Sequence, residues 1–147
     1  MNTEPNIDVR VRKHFEASPE RVFDAWLDAA TARKWLFATP AGEMVRAEID
    51  PRVGGKFTFT DRREGEEAEH TGEYLVIDRP RRLVFTFSAG DTEPSRISVD
   101  IVPQGSGCEL TLSHEMKPEW AEYKERTEQG WAAILDGLAA TLGEGGA

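Results

Sequence analysis

The feature that most constrains this chain is a long amphipathic pattern near its C-terminus. Across residues 119–143 the apolar side chains recur at intervals of three and four, which places them on one helical face. These side chains are Trp120, Tyr123, Trp131, Ile134, Leu135, Leu138 and Leu142. Such a helix is roughly twice the mean length in globular proteins. Its apolar face therefore needs a large partner surface, and the preceding segment is the candidate to supply it.

The preceding segment alternates apolar and polar residues in short runs, which is the pattern of half-buried strands. A first run covers residues 7–15, and six more cover residues 44–49, 57–60, 70–77, 83–88, 97–102 and 108–113. Because short turns separate the later runs, their pairing should be antiparallel. We predict an α+β domain in which a curved antiparallel sheet of six to seven strands wraps around the C-terminal helix.

Two short helices are predicted between the first strand and the others. Ser18 at the N-cap, followed by Pro19, is a strong start signal for the first helix. The second is predicted to begin with Thr31 as its cap and to run through Trp35.

Several glycines are expected to shape the packing of the sheet and the helix. Gly54, Gly55 and Gly72 would allow the strand bends that curl a sheet around a helix. Gly130, beside Trp131, either lets the helix approach the sheet closely or weakens the helix by about 1 kcal/mol relative to alanine.

Length and composition predict one domain over residues 1–147, with residues 1–6 as a flexible polar tail. Cys108 is the only cysteine, so no internal disulfide can form, which fits a reducing cytoplasm. We expect a cytoplasmic protein because the N-terminus has no signal-peptide pattern and no apolar run approaches the ~20 residues of a membrane span. The net charge of −9 disfavours nucleic acid and anionic membranes as partners.

The titratable residues do not form a recognisable catalytic or metal-binding pattern. Alternation directs His14 outward and places His70 and His114 toward the interior, where they either line a pocket or have a structural role. No ligand spacing indicates a metal site, and neither a nucleophile elbow nor a phosphate loop is present. We therefore expect no catalytic residue, no metal and no cofactor.

Aromatic residues near the predicted junction of sheet and helix are the stronger functional indication. Aromatic walls with a few polar tips suit apolar ligands, although the same side chains could simply fill the core. The candidate ligand-binding residues are Trp35, Phe37, Phe57, Phe59, His70, Tyr74, Phe85, Phe87, Val99, His114, Trp120, Tyr123, Trp131 and Leu135. The C-terminal helix, from Trp120 to Leu138, is expected to form one wall of such a site.

Ordered motifs along almost the whole chain, from about Ile7 to Leu142, resemble a known family. The motifs are Ser18-Pro19-Glu20-Arg21-Val22-Phe23-Asp24-Ala25-Trp26, Lys34-Trp35-Leu36, Gly54-Gly55-Lys56-Phe57, Gly72-Glu73-Tyr74, Pro80-Arg81-Arg82-Leu83-Val84-Phe85 and Gly130-Trp131-Ala132-Ala133-Ile134-Leu135. They resemble the family related to the C-terminal domain of the activator of the 90-kDa heat-shock protein's ATPase, within the START-like (SRPBCC) superfamily. The resemblance implies a helix-grip fold that encloses a hydrophobic cavity.

Three functions are compatible with this resemblance, because the fold hosts unrelated activities. The first is non-enzymatic binding of a small hydrophobic molecule, as a carrier or sensor. The second is a protein-interaction module, such as a co-chaperone-like stress-response protein, with a chaperone or a second copy of the chain as partner. The eukaryotic co-chaperone has an additional N-terminal domain, whereas six residues precede the first predicted strand here. The third is a cyclase or hydrolase, which would require His70 and His114 or Tyr74 to converge in the pocket.

Overall fold

The computed structural model describes residues 7–36, 43–63, 65–89, 95–116 and 122–142. Within these ranges the elements, in chain order, are β1 (Ile7–Phe15), α1 (Pro19–Leu27), α2 (Ala29–Ala32), β2 (Glu43–Ile49), β3 (Lys56–Arg63), β4 (Glu66–Asp78), β5 (Arg82–Ala89), β6 (Ser95–Gln104), β7 (Gly107–Met116) and α3 (Lys124–Thr141). The strands form one antiparallel sheet in the order β1-β7-β6-β5-β4-β3-β2. This arrangement confirms the predicted α+β helix-grip fold.

Strand β7 shows why the alternating pattern predicts the sheet correctly. Its even-numbered residues from Cys108 to Met116 are buried, whereas the odd-numbered residues from Glu109 to Glu115 are partly exposed. Because side chains alternate across a strand, one face of β7 packs into the core and the other faces outward. The strand lies between β1 and β6, so it is the second strand from the β1 edge of the sheet.

The first two helices lie between β1 and β2, as predicted, but the second begins earlier than expected. Ser18 caps α1, because its Oγ accepts a hydrogen bond from the Arg21 backbone N–H at 3.2 Å. The prediction that Thr31 caps a helix through Trp35 is wrong, since α2 spans Ala29–Ala32. The backbone carbonyl of Asp28 accepts hydrogen bonds from the N–H groups of Thr31 and Ala32, so Asp28 begins α2 directly after α1 ends.

Gly72 lies in β4 at a point where the backbone leaves no room for a side chain. A Cβ atom at this position would overlap the carbonyl oxygen of Thr86 on β5 and the ring of Phe57 on β3. Phe57 is the cross-strand partner of Gly72, so its ring occupies the space that a side chain at residue 72 would take. A register shift between Tyr74 and Val76 follows in the same strand. Gly72 was predicted to allow a strand bend, and the structure gives a further reason for glycine here, which is close packing beside a bulge.

Helix α3 begins at Lys124, so within the described residues it is shorter than the predicted helix over residues 119–143. Its buried residues are Trp131, Leu135 and Leu138, at spacings of four and three. Full burial of a large apolar side chain contributes roughly 1.5–3 kcal/mol, so this row anchors the helix on the sheet. On the outside, Lys13 Nζ of β1 contacts Asp136 Oδ1 of α3 at 2.9 Å.

The close approach of α3 occurs at Gly137 and not at Gly130. A Cβ atom on Gly137 would lie 3.6 Å from the Cβ atom of Trp35, whereas a Cβ atom on Gly130 would have no neighbour within 4 Å. Gly130 is exposed, so the interpretation that it permits close packing is wrong. The other interpretation of Gly130, that it weakens the helix locally, agrees with this open environment.

Replacing Gly130 by alanine is therefore expected to raise the free energy of unfolding by about 1 kcal/mol, because alanine loses less backbone entropy in a helix. Urea titration followed by circular dichroism measures this change. Ala133→Gly, at another exposed position of α3, is the matched control and should lower the free energy by a similar amount. A destabilised Gly130→Ala variant would contradict the assignment.

Three arginines around the turn between β4 and β5 are each paired with a carboxylate. Arg79 makes two hydrogen bonds to Asp24, at 2.7 and 2.8 Å. Arg81 lies 3.4 Å from an Asp78 carboxylate oxygen, and Arg82 lies 3.8 Å from Asp100. The side-chain hydrogen bond to Arg79 lowers the pKa of Asp24 below its ordinary value. These exposed pairs contribute modestly to stability, but they locally balance the densest run of positive charge.

Among the described helices, none is long and apolar enough to cross a membrane.

Candidate functional site

A small cavity lies between the α1–α2 segment and the middle of the sheet. Its lining residues come from α1, the turn after α2, and strands β3, β4 and β5. They are Trp26, Leu36, Phe57, Tyr74, Leu83 and Phe85. The cavity volume is about 10 Å³, which is roughly the room needed for one water molecule.

The wall of this cavity is a set of interlocking aromatic rings. The ring centroid of Phe85 lies 6.1 Å from that of Trp26 and 5.6 Å from that of Phe57, the latter in an edge-to-face arrangement. Phe57 also packs against Tyr74 at 5.6 Å. Each such aromatic pair contributes about 0.5–1.5 kcal/mol beyond its buried area. The wall is therefore stable as well as apolar.

Tyr74 supplies a polar tip to this wall without adding a charge. Burial raises the pKa of Tyr74 above its ordinary value, and the nearby Asp50 carboxylate raises it further. The phenol consequently stays protonated at neutral pH. Its backbone is held by the turn that precedes β3, because its N–H donates to the Gly55 carbonyl at 3.0 Å. No lining residue of the cavity carries a charged side chain at neutral pH.

Trp26 and Trp35 form an edge-to-face pair beside the cavity, with ring centroids 4.7 Å apart. Their exposed fractions are 1% and 2%. Neither indole Nε1–H has a hydrogen-bond partner among the described residues. A buried donor without a partner carries a desolvation penalty of about 1–3 kcal/mol. The pair therefore adds two unused donors to an otherwise apolar environment.

A second group of rings lies where α3 crosses the sheet, and we call it the histidine–aromatic cluster (His70, Phe87, His114 and Trp131). The Phe87 ring is the centre of the group. It stacks on His70 at 5.9 Å and meets His114 edge-to-face at 6.1 Å and Trp131 at 6.4 Å. The two histidines that were expected to reach the interior thus converge on one phenylalanine ring.

His114 is held by a directional chain of hydrogen bonds. Its Nδ1 accepts from the Trp131 indole Nε1–H at 3.0 Å. The imidazole proton must then be on Nε2, which donates to Ser95 Oγ at 2.7 Å. Ser95 in turn donates to the Phe87 carbonyl at 3.4 Å. Helix α3 is thereby tied to three strands by polar contacts.

Burial lowers the pKa of His114 to about 4, so the imidazole is neutral near pH 7. Both of its ring nitrogens are engaged in the chain from Trp131 to Ser95. An acid or base catalyst must offer a nitrogen to a substrate, and His114 offers neither in this arrangement. The geometry therefore gives His114 a structural role that positions α3.

The predicted site residues separate into several groups. Phe57, Tyr74 and Phe85 line the cavity, and Trp35 lies beside it against Trp26. Tyr123 is 37% exposed at the start of α3. Phe37 and Trp120 lie outside the described residues. The remainder are in the histidine–aromatic cluster or the buried core: His70, Phe87, His114, Trp131, Phe59, Val99 and Leu135.

Three cavity residues, Trp26, Leu36 and Leu83, were absent from the predicted set. Trp26 lies on the apolar face of α1, in its last turn. An aromatic residue at that position could have indicated that α1 contributes to the site. Helix α3 does not line this cavity, in contrast to the expectation that it forms one wall. Helix α3 instead packs near β1 and β7, because its residues contact Lys13 of β1 and His114 of β7.

The remaining reactive groups have ordinary structural environments. Cys108 is fully buried, and its Sγ contacts the Ala17 carbonyl oxygen at 3.6 Å. His14 is exposed, as predicted, and its Nδ1 lies 2.8 Å from Gln104 Oε1. Within the ranges that the structure describes, no group of three or more His, Cys, Asp or Glu side chains is arranged to hold a metal ion.

Comparison with known proteins agrees with this architecture. The protein CV1439 from Chromobacterium violaceum is 26% identical, with a TM-score of 0.80 over 90% of this chain and 94% of its own. An AHSA1-like protein from Aeromonas hydrophila is 20% identical, with a TM-score of 0.80 over 95% of this chain and 94% of its own. The protein NE0264 from Nitrosomonas europaea is 18% identical, with a TM-score of 0.82 over 94% of this chain and 95% of its own.

Sequence comparison identifies the family directly. No curated protein matches the sequence significantly. Residues 16–143 match the family described as "Activator of Hsp90 ATPase homolog 1-like protein". The match spans most of the chain and includes the helices and strands that surround the cavity. The chain therefore belongs to the Activator of Hsp90 ATPase homolog 1-like family, with its START-like fold.

Proposed function

We propose that this protein binds a small, uncharged hydrophobic molecule at the aromatic cavity between the α1–α2 segment and the sheet. The observation that carries the proposal is the composition of the wall, in which four of the six lining residues are aromatic and none is charged. Such walls favour apolar ligands, because they offer dispersion contacts without requiring removal of water from a charge. The protein would act as a carrier or sensor in the reducing cytoplasm.

Ligand entry requires part of the wall to move, because the cavity of about 10 Å³ holds no more than a water molecule. Leu36 is the candidate gate. It lies in the turn after α2, and its backbone N–H donates to the Ala32 carbonyl at 2.8 Å. The opposite wall belongs to paired strands of the sheet, whose displacement would break ladder hydrogen bonds. Moving the turn breaks no ladder hydrogen bond of the sheet, so it should cost less than moving a strand.

Removing the Leu36 side chain is expected to raise the affinity for an uncharged apolar probe by about fivefold, because it supplies space that the ligand otherwise has to open. The probe is N-phenyl-1-naphthylamine, whose fluorescence increases in apolar surroundings, and competition with unlabelled apolar compounds shows that it binds at one site. The test variant is Leu36→Ala.

Leu110→Ala is the matched control, since Leu110 is fully buried in β7 and does not line the cavity. Both substitutions should lower the free energy of unfolding by about 2–5 kcal/mol. Only Leu36→Ala should increase probe affinity, with near-ultraviolet circular dichroism confirming that both variants are folded. Equal probe binding by the two variants, or no binding by any form, would overturn the proposal.

An interaction module is the second candidate, and one observation favours it. Val53, Leu75 and Val76 are 63%, 39% and 38% exposed, respectively. They are close in the fold, because the Gly54 N–H donates to the Tyr74 carbonyl at 2.8 Å. Light scattering tests for a homodimer, and titration with the middle domain of the 90-kDa chaperone tests for a co-chaperone role. A monomer that does not bind this domain would exclude both forms of the candidate.

A cyclase or hydrolase receives less support from the geometry. His70 and His114 converge on the Phe87 ring, and Tyr74 lies at the separate cavity. The Phe87 ring therefore occupies the position that a substrate would need between the two histidines, and Tyr74 lies apart from both.

A further inference from the structure

The two indole donors of Trp26 and Trp35 distinguish this cavity from a purely apolar one. Both side chains are at least 98% buried. Neither Nε1–H has a hydrogen-bond partner within the described part of the chain. Buried polar groups in folded proteins are nearly always paired, so these two neighbouring indole N–H groups are donors that a bound acceptor could use.

Trp131 provides an internal comparison. It is also buried, at 4% exposure, but its indole N–H donates to His114 Nδ1 at 3.0 Å. The same fold therefore supplies an acceptor to a buried indole at the histidine–aromatic cluster and not at the cavity. Phenylalanine would fill an apolar wall without an unpaired donor, whereas Trp26 adds an unpaired indole N–H to the residues that line the cavity.

The chemistry of the surrounding groups restricts what a bound acceptor can be. The six side chains that line the cavity carry no charge at neutral pH, including the protonated phenol of Tyr74. A carboxylate or phosphate would lose its hydration there without gaining a cation. A neutral carbonyl oxygen, in contrast, has a small desolvation penalty and two lone pairs for N–H donors.

We propose that the ligand is an apolar molecule with a neutral carbonyl oxygen, such as a ketone or ester, and that this oxygen accepts a hydrogen bond from the Trp26 indole. This inference rests on the proposed function and adds the ligand's chemical class to it. Trp26 is the primary donor because it lines the cavity. Trp35, whose ring centroid is 4.7 Å from that of Trp26, has the second unpaired donor, beside the cavity.

Two probes of nearly equal shape, 1-indanone and indane, test this inference because only the first has a carbonyl group. The chain contains four tryptophans, so ¹H–¹⁵N spectra should show four indole signals, which Trp→Phe variants assign. We expect 1-indanone to move the Trp26 indole proton downfield and indane to leave it nearly unchanged. The Trp131 signal is the internal control, because its N–H is already bonded to His114.

Affinity measurements give the second readout. Trp26→Phe changes the cavity wall for both probes, so we expect it to weaken 1-indanone binding by about fivefold relative to its effect on indane, the value expected for one neutral hydrogen bond. Because the affinity change caused by Trp26→Phe is compared between the two probes, the greater hydrophobicity of indane does not affect the result. If Trp26→Phe does not fold, the indole shifts of the wild-type protein decide the question alone.

The outcomes separate this inference from the function on which it rests. Binding of both probes at the cavity without an indole shift, and with equal effects of Trp26→Phe on both affinities, would overturn the carbonyl assignment and leave hydrophobic binding intact. If neither probe changes the amide signals of the cavity residues, the proposed function fails and the carbonyl assignment fails with it.

Discussion

Gly72→Ala is expected to lower the free energy of unfolding by about 3 kcal/mol or more, or to prevent folding altogether. The added Cβ would overlap the Thr86 carbonyl oxygen and the Phe57 ring. The backbone oxygen cannot move without disturbing the pairing of β4 with β5. Phe57 cannot move without disturbing the cavity wall. Thermal and urea unfolding measure the loss, and near-ultraviolet circular dichroism reports the aromatic packing.

The Gly130→Ala variant is the control for this experiment, because it makes the same chemical change where a Cβ atom has no neighbour within 4 Å. Gly72→Ala should therefore be strongly destabilised while Gly130→Ala is slightly stabilised. A Gly72→Ala protein that unfolds at the wild-type urea concentration would show that β4 has more room at this position than the structure indicates.

Acidification is expected to lower the stability of the protein by about 3 kcal/mol through His114 alone. The pKa of His114 is lowered to about 4 in the folded protein, against an ordinary value of about 6.5 in the unfolded chain. Above pH 6.5 both states are neutral and the residue adds no pH dependence. Between pH 6.5 and 4 only the unfolded state gains the proton, so the free energy of unfolding falls as the pH falls. Below about pH 4 the folded state is protonated as well, and this decline ends.

Urea titrations at several pH values measure this effect, and the matched variants isolate it. His114→Asn removes the titrating group but retains a carbonyl acceptor toward Trp131, so its decline between pH 6.5 and 4 should be about 3 kcal/mol smaller. His14→Asn is the matched substitution at an exposed histidine and should leave the decline caused by His114 in place. Asp24, whose pKa lies below its ordinary value of 3.8, acts mainly at lower pH. Identical pH profiles for wild type and His114→Asn would contradict the buried, neutral imidazole.

Local patterns along the chain were sufficient to predict most of the fold. The alternation in β7 and the Ser18 cap of α1 are short-range signals, and both are present in the structure. Side-chain direction follows from the strand period of two, so the burial of His114 and the exposure of His14 could also be predicted. The family resemblance agrees with these signals over most of the chain.

One error concerns the local start of a short helix, and the other concerns a contact between distant segments. Asp28 begins α2 because its carbonyl accepts two backbone hydrogen bonds, whereas Thr31, three residues later, was predicted as the cap. The close approach of α3 occurs at Gly137 because that residue faces Trp35, which lies about a hundred residues earlier in the chain. Periodicity identifies a helical face, but it does not show which partner that face meets.

The sequence by itself determined the element types, their order and the residues of the core, because apolar periodicity and turn chemistry are local properties of the chain. Only the tertiary structure decided where those elements leave space and which polar groups find partners. The indole N–H of Trp131 meets His114, whereas those of Trp26 and Trp35 meet no acceptor in the described residues. This difference arises from packing between segments far apart in sequence, and our proposal of a binding site beneath α1 and the turn after α2 draws on it.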